Sequence, residues 1–148
     1  MILAAINILS TIFLKTPPTI KKFEISKVTH LYNHPYTRVQ HAVALLDLDV
    51  DFSPCFNWNT NLVFGWISAT YKTKNNETKV TVWDNIMLRR NPNSHKVVID
   101  NKMFEYPIID VFKTLSGKEV ILELNWEHMP VIGPILKVKK YGEKNMFT

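Results

Sequence analysis

The chain has 148 residues, 46% hydrophobic and 21% charged, with a formal net charge of +5. That size and balance describe one folded domain with a short appendage and exclude a disordered or low-complexity chain. Cys55 is the single cysteine, which excludes an intrachain disulfide and leaves the redox compartment open.

Met1 to Leu14 carry no charge, and Ile2, Leu3, Ile6, Ile8, Leu9, Ile12, Phe13 and Leu14 make the run strongly apolar. As a helix it would reach about 21 Å, short of the ~30 Å hydrocarbon core of a bilayer. A secretory signal would carry a basic leader before such a run and a small-residue cleavage site after it, and residues 1–20 offer neither pattern. Three readings fit: a membrane anchor whose first part lies upstream, a signal remnant, or a core helix. The abrupt stop at Pro17-Pro18 with a β-rich body behind it favours the first. The expected organisation is a partial anchor helix over 1–14, a linker over 15–20 and a β-domain over 21–148. The lysines after the run do not by themselves fix an orientation.

Phe23 to Leu31 reads as the first strand of the body. Leu45 to Phe52 alternates, with Leu46, Leu48, Val50 and Phe52 on one face and Asp47, Asp49 and Asp51 on the other, as in a half-buried strand. Asn59 to Phe64 could make one short helical turn. Val63 to Lys74 and Val80 to Leu88 are rich in β-branched and aromatic residues, and the polar, Asn-rich Lys74–Lys79 between them predicts a hairpin connection. Lys96–Ile99 and Ile132–Val138 are further expected strands, and Val120–Glu127 alternates as cleanly as Leu45–Phe52. Strands at short intervals with little helix between them predict an all-β fold, an antiparallel β-sandwich.

Several constellations resolve into ordinary structure. Asp47-x-Asp49-x-Asp51 lacks the Gly and Glu that a calcium loop needs at its sixth and twelfth places, where Phe52 and Trp58 stand, so the aspartates read as the wet face of a strand. His30, His34 and His41 are numerous enough for zinc, but Pro35 and the β-like surroundings oppose a helical His pair. Ser68 sits mid-strand and no Gly-x-Ser-x-Gly elbow is present, so nothing supports a nucleophile. The basic residues are scattered and no nucleic-acid module accompanies them. Neither metal nor cofactor is expected.

Trp83 and Trp126 lie in alternating strands and are expected in the core. Trp58 and Trp66, near the short turn, are divided between core and a partner-binding surface, where Trp is enriched. Asn76-Glu77-Thr78 is an N-glycan acceptor pattern in a turn, usable if that turn faces a secretory lumen. On these residues alone, a secreted or surface-anchored β-sandwich recognising a protein or carbohydrate remains open.

The wording of the body narrows the choice. Phe56-Asn57-Trp58-Asn59, Ser68 to Asn76, Val82 to Arg89, Lys102 to Tyr106 and Leu122 to Trp126, followed by Pro130 and Gly133, resemble in order the signal peptidase complex subunit 3 family. The resemblance covers nearly the whole body, and Ala4-Ala5 onwards resembles the second half of that family's membrane helix. It implies a single-pass protein of the endoplasmic-reticulum membrane with its carboxyl-terminal β-sandwich in the lumen. It also implies no catalytic residue, a catalytic serine-type subunit and other complex subunits as partners, and a supporting role in signal-peptide removal. The resemblance also implies a glycan acceptor just before the last conserved strand, and Gly117-Lys118-Glu119 departs from it by offering none.

Overall fold

The alternation seen in sequence becomes eight strands behind one helix in the computed structural model, which describes residues 2–13, 18–33, 35–36, 38–72, 76–110, 119–131 and 139–146. They are α1 (Ile2–Phe13), β1 (Thr19–Asn33), β2 (Gln40–Asp51), β3 (Thr60–Lys72), β4 (Glu77–Leu88), β5 (Lys96–Met103), β6 (Ile108–Asp110), β7 (Glu119–Pro130) and β8 (Lys139–Met146). In one antiparallel sheet β2 pairs with β1 on one side and with β5 and β6 on the other; the second runs β4-β3-β7-β8.

One core cluster draws on both sheets, as two packed layers require. Ala42, Ala44, Leu46, Leu48, Val50 and Phe52 come from β2 and its end, and Val63, Ile67, Ala69 and Tyr71 from β3. β7 adds Val120, Leu122, Leu124 and Trp126, and Trp83 of β4 joins them; both tryptophans are 4% exposed, as their strands predict.

Two expectations are corrected. The aspartates of β2 are not uniformly wet, because Asp47 is only 4% exposed. A bulge in β5 sets Asp100 and Asn101 opposite this one residue, and Asn101 takes a left-handed backbone (φ 51°), which Asn tolerates. Its freed N–H donates to Asp47 Oδ1 at 2.8 Å, while Lys22 Nζ pairs with Oδ2 at 2.9 Å. The turn expected at Asn59–Phe64 is absent, since β3 already begins at Thr60. Asn57 Oδ1 accepts from Asn59 N–H (2.9 Å) and from Thr60 Oγ1 (3.0 Å), so the reversal is made before residue 60. Helical turns fall instead at Ser53–Cys55 and Pro92–Ser94, each carrying a proline in its first positions.

β1 begins at Thr19, inside the expected linker, because Thr19 and Ile20 pair with Asp51 and Val50. The strand expected at Ile132–Val138 lies outside the described residues, as does His34. β6 and β8 were not expected. α1 exposes Ile2, Leu3, Ile6, Leu9 and Phe13, and its 12 residues make about 18 Å. No described helix is long and apolar enough to cross a membrane.

Candidate partner-binding surface

Along β3 the side chains divide by turns between the two faces of the sheet. Val63, Gly65 and Ile67 enter the core, so Leu62, Phe64 and Trp66 take the outer face. The rings of Phe64 and Trp66 lie with centroids 5.3 Å apart and planes tilted by 31°. Their register partners on β4 are Ile86 and Asp84, and on β7 Glu127 and Asn125.

Tyr106 reaches this face from the loop between β5 and β6. The N–H groups of Glu105 and Tyr106 both donate to Val82 O, at 3.0 and 3.2 Å, which pins the loop against β4. Phe64, Trp66, Thr81, Asp84 and Tyr106 then line an open cleft of about 500 Å³. Tyr106 Oη lies 3.5 Å from Asp84 Oδ2, and the carboxylates of Asp84 and Glu105 push the phenol's pKa up. Three rings and two nearby carboxylates make a surface for flat or cationic groups.

Trp66 is therefore a partly buried wall of a cleft, whereas Trp58 is 51% exposed in the turn ahead of β3 and does not line it. The Trp58 carbonyl accepts from Arg89 Nη1. Asn76 is exposed directly ahead of β4, in the connection from Lys72 to Glu77 that the hairpin prediction anticipated. Sequence reasoning gave no role to Tyr106 or Asp84. The signal was that both fall in stretches that resemble the family, Val82 to Arg89 and Lys102 to Tyr106.

The residues that a hydrolase would need are dispersed. Ser68 is 1% exposed on the outer face, accepting from Asn125 Nδ2 at 3.1 Å, while His128 pairs in register with the inward Val63 and so takes the opposite face. His95 is 9% exposed and stacks on Phe56, with centroids 3.8 Å apart, and its Nε2 lies 2.8 Å from Leu88 O. Leu88 pairs with Leu62, six residues and about 20 Å along β3 from Ser68. Among the described residues no group of three or more His, Cys, Asp or Glu side chains is placed to hold a metal ion.

With this geometry in view, the Signal peptidase subunit family model matches residues 1–148. The chain belongs to the signal peptidase subunit family. It is 32% identical over 112 residues to signal peptidase complex subunit 3 of Yarrowia lipolytica, covering 74% of this chain and 57% of that protein. The Caenorhabditis elegans protein of the same name is 35% identical over 132 residues, covering 84% of this chain and 71% of its own length. The Homo sapiens one is 32% identical over 105 residues, covering 69% and 57%. The chain thus spans little more than half the length of several curated relatives. In this member of the family, the outer face of β3 and β4 brings Phe64 and Trp66 together with Tyr106 from the β5–β6 loop.

Proposed function

We propose that this chain is a non-catalytic accessory subunit of the endoplasmic-reticulum signal peptidase complex, supporting a catalytic serine-type subunit during signal-peptide removal. Membership of the signal peptidase subunit family across residues 1–148 carries this reading. The dispersal of Ser68, His95 and His128 over different faces and ends of the sheet fits a supporting role. In the same reading α1, with Ile2, Leu3 and Phe13 at 77%, 83% and 85% exposure, sits in the membrane as part of an anchor, and the β-domain lies in the lumen. Trp58 and Trp66 belong to the surface that meets other subunits, and Asn76 is open to glycosylation on the lumenal side.

Purification of the native protein in mild detergent tests the assignment. Co-recovery of a serine-type signal peptidase subunit, with cleavage activity lost on substitution of that subunit's serine, is the expected result. Recovery as a lone monomer, or hydrolysis by the isolated chain, would overturn it.

A further inference from the structure

The free side of β4 is closed at two points and open between them. Arg89 N–H donates to Asn61 O at 3.0 Å, so these two residues form a hydrogen-bonded pair and the adjacent pair, Leu62 with Leu88, does not. Leu88 accordingly turns its backbone away from β3, where its N–H donates to Ser94 Oγ at 3.2 Å and its carbonyl meets His95 Nε2 at 2.8 Å. Counting back in steps of two, Ile86 and Asp84 turn their N–H and C=O groups the same way. At Val82 the side is closed again, by Glu105 and Tyr106. Between the two closures Asp84 and Ile86 present backbone donors and acceptors that no described residue caps.

The side chains beside this gap are consistent with one kind of occupant. Ile86 is 53% exposed, and Asp84 shares the cleft with Phe64, Trp66 and Tyr106. Neither Asp84 nor Glu105 has an ion-pair partner among the described residues. Two cations of the same hairpin are engaged elsewhere: Lys79 binds Glu123 at 2.9 Å, and Arg89 binds the Trp58 carbonyl. On a chain of net charge +5 this is a local excess of negative charge over aromatic rings. Such a site attracts a cation that arrives on an apolar stem.

We propose that the Asp84–Ile86 edge and the adjoining cleft together receive an extended segment of a partner protein that carries an arginine or lysine. The segment's backbone continues the sheet beyond β4, and its basic side chain crosses the outer face opposite Asp84 to lie against Trp66 and Tyr106. The inference rests on the assembly reading above for the existence of a partner, and adds where that partner is held and by what chemistry.

Photocrosslinking in the detergent-purified complex tests it, with benzoyl-phenylalanine replacing Thr81 or Ile86 in the full chain. The expected product is a crosslink to one protein segment containing Arg or Lys. Two further substitutions are read at the Thr81 probe after a thermal melt confirms folding. Asp84→Lys should cut the crosslink yield about tenfold, the size of a lost cation contact of roughly 1.4 kcal/mol. Ile86→Pro, which removes an outward N–H and no bond to β3, should lower it as well. Crosslinks to lipid alone, to a segment without a basic residue, or of unchanged yield in Asp84→Lys would overturn the inference while the assembled complex still stands. A chain recovered without other subunits would overturn both readings.

Discussion

The Asp47 carboxylate is clasped between the Lys22 ammonium at 2.9 Å and the Asn101 N–H at 2.8 Å, which ties β1, β2 and β5 through one side chain. The Asn101 N–H first, and Lys22 second, hold the Asp47 carboxyl below its usual pKa. Its contribution to stability is present above the unfolded value of about 3.9 and is lost as the pH falls from there through the lower folded value. Asp47→Asn should cost about 1–2 kcal/mol at neutral pH. It should also flatten the acid limb of a plot of melting temperature against pH, followed by circular dichroism.

Trp83 and Trp126 fill the core from β4 and β7. Truncating either to Ala should cost about 3–5 kcal/mol. In cells, the expected readout is a lower amount of complex, measured by quantitative blotting, with normal cleavage per complex that remains.

Gly65 lies under the outer aromatic pair and faces inward. A Cβ there would stand 3.3 Å from Met87 Cε and 3.5 Å from Phe52 Cζ. The methionine methyl ends a flexible chain and can withdraw, so Gly65→Ala should cost no more than about 1 kcal/mol. Gly65→Leu must displace Phe52 as well, and about 1–3 kcal/mol is expected. Urea titration of both variants separates the two cases.

Ser68 accepts a hydrogen bond from Asn125 within the sheet, and among the described residues no hydrogen bond joins it to a general base. Ser68→Ala should leave signal-peptide cleavage per assembled complex unchanged, measured with a radiolabelled secretory precursor. A loss of turnover at constant assembly would reassign the serine to the chemistry.

Asn76 is exposed ahead of β4 with Thr78 in the third place. Glycosidase treatment of the native protein should increase its gel mobility, and Asn76→Gln should abolish the shift. An unmodified Asn76 on peptide mapping would reject modification there.

What could be read from the sequence was whatever depended on near neighbours. The alternation of Leu46, Leu48 and Val50, the burial of Trp83 and Trp126, and the hairpin around Asn76 all follow from period-two spacing or turn chemistry. Asp47 was misread because its burial depends on a bulge at Asp100 and Asn101, far along the chain. The cleft was half visible for a similar reason: Trp66 and Asp84 belong to one hairpin, whereas Tyr106 arrives from a loop whose placement needs both sheets. β8 was hidden by composition, because the Lys- and Glu-containing 139–146 segment lacks the apolar alternation of a central strand.

Phe104, Glu105 and Tyr106 give their N–H groups to Ala44 of one sheet and Val82 of the other, within three consecutive residues. A stitch of this kind denies either layer the freedom to peel off alone. Amide exchange should therefore be slowest at the buried Phe104, whereas the exposed Glu105 and Tyr106 should exchange through local opening of the loop.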